Sequence, residues 1–287
     1  MESFYLIAAG LTLNAPNFSQ DQLGVSYLEW LTNSILAALV VVGVVLWWAR
    51  KATKTMQLVP GATQNSFEAV VEFLYDMLEG IVGKHMVSRV FSLLATLFIF
   101  ILVANWFGLL PGVGSIGWGH DVPGHGFEVV VPLLRPTTAD LNMTLGMALV
   151  AFCFWLYWTI SEVGLWGFIV HTFGPKGGLK GLMKLIFALL FLFVGVIEVV
   201  SILVRPVSLS LRLFGNVFAG ETLLASMITL GQTLGLPTFV TYAISLIVPV
   251  PFYFLELLVG LLQALVFTLL CAVYIQLSTT HDEEEEH

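Results

Sequence analysis

Five ionisable residues lie inside long apolar stretches of this sequence: Glu198, Arg205, Arg212, Glu221 and Glu256. A charged side chain at the centre of a bilayer-spanning helix costs about 2.5–3.5 kcal/mol, so it is retained only where it faces protein or a wet cavity. Carboxylates and guanidinium groups can carry, attract or repel a proton or a small cation. The sequence has no phosphate-binding loop and no His-Glu-x-x-His metal motif. The pattern therefore indicates ion or proton movement through a membrane.

Helical geometry groups most of these side chains on one face. Steps of seven residues return to within about 20° of the same direction, so Glu198, Arg205 and Arg212 share a face. Two uncharged polar residues lie about one turn on either side of Arg212 and extend the face into a polar stripe. Glu221 points to roughly the opposite side of the same helix. The polar stripe comprises Glu198, Arg205, Ser208, Arg212 and Asn216.

The last apolar run has a second polar face, formed by Glu256 and Gln263. If the last two runs form a helical hairpin, Glu221 lies opposite Glu256 and Arg212 lies opposite Gln263. Two facing carboxylates can share a proton. A guanidinium stays charged at physiological pH, so Arg212 can act only as a fixed positive barrier. The sequence therefore predicts that the carboxylate pair lines a water-filled path. It also predicts that Arg212 acts as a gate and that Gln263 holds its guanidinium in place.

The composition identifies a membrane protein. The 287 residues are 58% hydrophobic and only 10% charged, whereas soluble domains have about 25% charged residues. The eleven lysines and arginines are spread over the whole length, which excludes a basic surface for nucleic acid. Cys153 and Cys271 lie within apolar runs, where thiols behave as small apolar side chains, and we expect neither a disulfide nor a metal site there.

Hydropathy predicts five membrane spans within one transmembrane domain, residues 28–279. An extramembrane arm, 1–27, precedes this domain and an acidic tail, 280–287, follows it. The last two runs are too long to cross a hydrocarbon core of about 30 Å upright, and we expect a long tilted hairpin that turns near Gly235 and Pro237. The predicted spans are about 28–49, 88–110, 141–163, 185–234 and 239–277.

The number of spans depends on Pro206. A break there would give six spans, but proline is tolerated in a membrane helix that packs against protein, so we favour five. Pro249 and Pro251 could kink the last run. With five spans, the clustered basic residues fall on one side and Arg135 alone on the other, which places the N-terminus outside and the C-terminus inside. The clustered residues are Arg50, Lys51, Lys54, Lys84, Arg89, Lys176, Lys180 and Lys184.

Three segments between the spans have other compositions. Apolar residues recur every three or four positions over 67–83 with acidic residues opposite, which predicts an amphipathic helix on the membrane surface. A Gly- and Pro-rich segment, 111–139, contains His120 and His125 beside two carboxylates. A metal site is one interpretation of it, but the spacing favours a solvated loop. A basic loop over 167–184 is expected between the third and fourth spans.

Some of the charged residues have simple structural alternatives. Arg205 precedes a proline, and an interfacial arginine that reaches the membrane surface would satisfy that position. Glu162 lies near the end of the third span and is expected to be a solvated helix-end acid. For Arg212, the structural alternative is neutralisation by Glu198.

The segment Ser210-Leu211-Arg212-Leu213-Phe214-Gly215-Asn216, followed by Ala219-Gly220-Glu221, resembles the signature helix of subunit a of F-type ATP synthases. Three further features agree with that family. Pro136-Thr137-Thr138-Ala139-Asp140-Leu141-Asn142 resembles the segment that opens the third span. Leu262-Gln263-Ala264 resembles a motif of the last helix, and an acidic tail ending in histidine also fits.

The resemblance implies an all-α integral membrane protein whose last two helices form a long tilted hairpin. It also implies that the chain is the stator half of a membrane motor, packed against a ring of c subunits and joined to a peripheral stalk of b subunits. No catalytic site and no cofactor are expected in this chain, because ATP chemistry belongs to other subunits. Arg212 matches the family's essential arginine, which faces the ring's ion-binding carboxylate and blocks leakage between two offset half-channels.

The same resemblance assigns roles to the other polar residues. Glu221 and Glu256 match positions that line the half-channel from outside, where the family has Glu or His. Asn216 and Gln263 match polar neighbours of that path, and Glu198 matches a carboxylate of the inner half-channel. With Ser208 from the polar stripe, the expected proton path comprises Glu198, Ser208, Arg212, Asn216, Glu221, Glu256 and Gln263.

Two other classes of membrane protein also use intramembrane charges. A standalone proton-coupled transporter needs a substrate cavity and usually internal repeats, and neither is evident. An intramembrane protease needs a Ser/His or His/Asp constellation, whereas the six histidines avoid the centres of the spans. We therefore expect a proton-translocating stator subunit, with the standalone transporter as the alternative. The N-terminus does not resemble a transit peptide, which favours a bacterial or an organelle-encoded gene. The Pro136-Thr137-Thr138-Ala139-Asp140 form resembles bacterial members of the family, so we expect the bacterial plasma (inner) membrane.

Overall fold

The computed structural model describes residues 31–54, 56–110, 112–114, 116–122, 126–173 and 182–279. The whole predicted N-terminal arm and the whole acidic tail lie outside the described residues. Five helices are long and apolar enough to cross a membrane, as the sequence predicted for an all-α integral membrane protein. The helices of the described part are α1 Asn33–Thr53, α2 Ala62–Gly108, α3 Leu141–Phe173, α4 Leu182–Thr233, α5 Thr238–Ile247 and α6 Pro249–Thr279.

A glycine divides α2 into two helices. Gly83 has a φ of +77°, a left-handed conformation that other residues rarely adopt, and the chain changes direction there. The helix before Gly83 buries Leu74, Leu78 and Val82, which recur every four residues. The amphipathic helix is therefore confirmed as an element separate from the second span, although it begins earlier than predicted. Its place on the membrane surface stays a prediction.

A second glycine redirects α3. Gly164 has a φ of +75°, and the chain then continues as a helix to Phe173. The sequence predicted that the span ends near residue 163 and that a loop covers 167–184. The first part of that loop prediction is wrong, because the residues after Gly164 are mostly apolar and suit a helix that turns rather than stops.

The long hairpin has the predicted form. α4 is continuous through Pro206, which is buried against the protein. The chain then turns at Gly235, with a φ of +65°, and returns as α5 and α6, which meet at Val248 just before Pro249. Near the turn, the Ser245 hydroxyl donates to a backbone carbonyl of α4, that of Ile228, at 2.6 Å. The five-span prediction therefore agrees with the structure.

The Gly- and Pro-rich segment contains a β-hairpin, contrary to the predicted irregular loop. Strands β1 Gly117–Val122 and β2 Gly126–Pro132 pair antiparallel, with His120 opposite Glu128 in the register. The run of valines in β2 has the β-branched side chains that favour a strand. His125 lies outside the described residues. Among the described residues, no group of three potential metal ligands occurs.

The core lies where α2, α3, α4 and α6 meet. Leu94, Ile101, Leu213 and Phe267 are almost wholly buried there, one or two from each of three helices. By contrast, α4 is sparsely covered: 17% of its most apolar stretch is buried, against 44% in α2. Its uncovered face is apolar and includes Leu203, Val204, Val207 and Leu211. This face is open to lipid or to another subunit.

Candidate functional site

One side of the α4–α6 hairpin contains a cleft with an empty volume of about 460 Å³. Helices α2, α4 and α6 form its walls, together with Pro136 from the segment before α3. Its polar lining residues are Asn105, Asn216, Glu221, Glu256 and Gln263. We call this cavity the acidic cleft. Four of these five residues were singled out from the sequence, and the fold brings them together.

A glycine makes room for one of the two carboxylates. Gly220 is buried on α4, and a side chain at this position would overlap the carboxyl group of Glu256 on α6. The backbone of α4 therefore approaches the acid closely. Glu221, the next residue, lines the same cleft and is half-buried like Glu256. The hairpin register thus places both carboxylates in one cavity.

An amide pair joins α4 to α6 at this cleft. Asn216 Nδ2 donates to Gln263 Oε1 at 2.7 Å. The prediction that Gln263 holds the Arg212 guanidinium is therefore wrong. The physical reason is rotational: Asn216 lies at the edge of the α4 face that packs on α6, whereas Arg212 points away from that face.

A second amide, Asn105 of α2, supports the cleft from behind. Its Nδ2 donates to the Gly260 carbonyl at 3.2 Å, and its Oδ1 accepts from Thr138 Oγ1 at 2.7 Å. Close by, Trp106 Nε1 donates to the Leu257 carbonyl at 3.1 Å. Asn105 was not predicted from the sequence. The signal was available, since an uncharged amide in an apolar span also costs free energy to bury unless it is hydrogen-bonded.

Arg135 is a second residue whose importance the sequence did not reveal. It served there only to mark the outer side of the membrane. In the structure it is buried, with 3% of its surface exposed, and it lies close enough to Glu221 for an electrostatic interaction. Asp140 nearby is also buried and accepts the Asn142 backbone N–H at 3.0 Å. Arg135 thus adds a fixed positive charge beside the acidic cleft.

Arg212 does not line the acidic cleft. It lies with Ser208 on the exposed, sparsely covered side of α4. No residue of the described ranges forms a hydrogen bond or an ion pair with its guanidinium. Glu198 is half-buried and lies about 21 Å from Arg212 along the helix, too far to neutralise it. Arg212 is therefore a positive charge presented outwards from an apolar face.

Arg205 has different surroundings. Its guanidinium packs over the rings of Tyr274 and Trp155, at 4.6 Å and 5.7 Å from their centroids. Both distances suit cation–π contacts. The side chain therefore packs against protein. Although it shares the polar stripe with Arg212, it lies nearer to the packed face of α4.

Glu162 also has a partner that was not predicted. It accepts a hydrogen bond from Arg89 Nη1, which links α3 to α2. The prediction of a solvated helix-end acid is therefore wrong. Arg89, counted only as a basic residue of the inner side, is its ion-pair partner.

Comparison with known proteins agrees with this architecture. The family model described as ATP synthase A chain matches residues 31–276. The chain belongs to the ATP synthase A chain family. ATP synthase subunit a of Protochlamydia amoebophila is 32% identical over 258 residues, which cover 88% of this chain and 82% of the relative. The same subunit of Mycobacterium tuberculosis (strain CDC 1551 / Oshkosh) is 34% identical over 257 residues, with 89% and 87% covered.

A third member of the ATP synthase A chain family, subunit a of Moorella thermoacetica, is 34% identical over 224 residues, covering 78% of this chain and 80% of the relative. These matches confirm the family resemblance that the sequence showed around Arg212. Family membership and the five apolar helices together make this chain a multi-pass membrane protein.

Proposed function

We propose that this chain is the membrane stator subunit of a rotary F-type ATP synthase and couples proton translocation to rotation of a ring of c subunits. One observation carries the proposal: an acidic cleft on one side of α4 adjoins an exposed apolar face that presents Arg212. A guanidinium in such a face needs an anionic partner, and the described residues supply none. In the proposed complex, the partner is an ion-binding carboxylate of the ring.

The acidic cleft forms the path from the outside. Water in the cleft delivers a proton to Glu221 and Glu256, which can hold it in turn because both line one cavity. The Asn216–Gln263 pair stands between these acids and Arg212 and offers hydrogen-bonding groups towards the ring. The proton then boards the ring carboxylate on the outer side of Arg212.

Arg212 forms the barrier between the two half-channels. It stays charged, so it attracts a ring carboxylate only in its ionised form and cannot pass a proton itself. The path on the inner side then includes Ser208, about one turn before Arg212 in α4, and Glu198, about 21 Å from Arg212. Each proton that crosses is worth about 2.3 kcal/mol per 100 mV. Because the path is interrupted at Arg212, the proton must travel with the ring.

The setting follows from the same proposal. The basic loops face the cytoplasm of a bacterium, the N-terminus lies outside, and the chain sits in the plasma membrane. The partners are the c ring, a peripheral stalk of b subunits and the remaining subunits, which perform the ATP chemistry. The chain itself has no catalytic role in that chemistry.

The deciding experiment replaces Arg212 with alanine in the whole complex. We expect Arg212→Ala to abolish proton-driven ATP synthesis in membrane vesicles while the complex still assembles, because the ring carboxylate loses its counter-charge. Complex recovered by affinity purification from the same membranes is the control for assembly. Coupled synthesis retained in the variant would refute the barrier. Proton-driven uptake of a substrate by the purified chain alone in liposomes would instead support a standalone transporter.

A further inference from the structure

A second cleft lies beside Arg205, displaced along the helices from the acidic cleft and lined by other residues of α2, α4 and α6. It has an empty volume of about 390 Å³ and lies between α2, α3, α4 and α6. Its wall is apolar apart from the one guanidinium, with Leu94, Ala151, Phe152 and Leu209 among its residues. None of the proton-path residues lines it.

Two aromatic rings hold the Arg205 guanidinium at this cleft. The Tyr274 and Trp155 rings lie against it, and Trp155 is itself fixed by hydrogen bonds from Nε1 to the Tyr274 carbonyl at 2.9 Å and to Ser278 Oγ at 3.0 Å. A cation–π contact does not use the N–H groups of a guanidinium, which remain able to donate. In the part of the chain that the structure describes, none of them donates to a protein acceptor.

The position of Arg205 across the membrane suggests which molecule accepts hydrogen bonds from its guanidinium. It lies about 10 Å along α4 from Arg212, towards the side of the basic loops. Trp and Tyr side chains, such as those that hold it, are typical of the membrane interface. A phosphodiester suits a guanidinium because two of its oxygens can accept parallel N–H bonds. A phospholipid joins that anion to apolar chains, which suit an apolar cleft.

We propose that this cleft binds an anionic phospholipid from the leaflet on the side of the basic loops. The phosphate accepts hydrogen bonds from Arg205, and one acyl chain lies in the cleft along Phe152 and Leu209. The lipid bridges α3, α4 and α6 two turns from Arg212. The site does not depend on the proposed function, since it uses no residue of the proton path.

Photo-crosslinking of lipid to the assembled complex tests this site. The complex is placed in phosphatidylcholine vesicles with a trace of phosphatidylglycerol that has a photoreactive group in one acyl chain. We expect labelled peptides from α3 and α4 around Phe152 and Leu209. Labelling should fall about tenfold in Arg205→Gln, the effect of losing one charge-assisted hydrogen bond. Arg50→Gln is the matched control, because Arg50 is an exposed arginine at the end of α1.

Competition separates the sources of the anion. Unlabelled phosphatidylglycerol should displace the probe, whereas added phosphatidylcholine and inorganic phosphate should not. Equal labelling of Arg205→Gln and the parent, or equal displacement by phosphatidylcholine, would overturn the proposal in favour of an unselective apolar gap. Displacement by inorganic phosphate would overturn it in favour of a free-anion site.

A second variant covers the case in which Arg205→Gln does not assemble. Ala151→Phe fills the cleft and leaves Arg205 unchanged, so labelling of α3 and α4 should disappear. Labelling at the parent level in this variant would show that the acyl chain lies elsewhere and would refute the site.

Discussion

Arg205 and Arg212 lie two helical turns apart in the same apolar helix, yet their surroundings differ completely. Arg205 is half-buried between two aromatic rings, beside an apolar cleft. Arg212 is exposed on the uncovered face of α4, about one turn before Asn216 of the acidic cleft. A rotation of about 20° between them is enough to change the neighbours. The charge of an intramembrane arginine therefore says little about its role until the neighbouring helices are known.

The largest expected difference is between alanine substitutions at the two arginines. Arg212→Ala is expected to abolish coupling. We expect Arg205→Ala to keep most of the ATP-driven proton pumping of inverted vesicles, measured with a pH-sensitive dye. It should lower the stability of the complex by about 1–2 kcal/mol, because two cation–π contacts are lost. Pumping abolished in both variants, with both complexes assembled, would show that the two arginines act together.

The acidic cleft can be tested by removing its charges singly and together. If Glu221 and Glu256 share a proton, each single change to glutamine leaves one acid in the cavity, so the double change should slow proton uptake by more than the product of the two single effects. Initial rates of uptake into inverted vesicles report the effect. Effects of the two substitutions that simply multiply would mean that the acids work independently.

Gly220 provides a steric test of the same cavity. Gly220→Ala should slow pumping about tenfold, since a new side chain must displace the Glu256 carboxyl group. Gly43→Ala in α1 is the matched control, because a side chain there meets nothing within 4 Å. Combining Gly220→Ala with Glu256→Asp, a shorter acid, should recover part of the rate. A Gly220→Ala complex that pumps at the parent rate would contradict the close approach.

The smallest expected effect concerns Gln263. A double-mutant cycle of Asn216→Ala and Gln263→Ala should give a coupling free energy of about 0.5–1.5 kcal/mol in thermal unfolding, the contribution of one hydrogen bond. The corresponding cycle of Arg212→Ala with Gln263→Ala should give none. A coupling confined to Arg212 would restore the pairing predicted from the sequence and contradict the observed one.

Local properties of the chain were predictable, because hydropathy and the cost of buried charge act on neighbouring residues. The five spans, the separate amphipathic helix and the hairpin turn at Gly235 follow from them. The predictions failed where a contact overrides the local pattern. The chain continues as a helix past Gly164, and a β-hairpin forms where a loop was expected. Glu162 pairs with Arg89 from another helix.

The sequence by itself determined that charged residues lie within apolar segments of this protein, on which helices they lie, and which family the chain resembles. Only the tertiary structure decided which charges share a cavity. In the structure, Glu221 and Glu256 line one cavity, and Gln263 accepts a hydrogen bond from Asn216. Asn105 and Arg135 are further members of the site. The physical reason is that side chains project from a helix in every direction around its axis. Helical periodicity groups residues by direction, but packing against α2, α3 and α6 decides which direction is core, cleft or open surface.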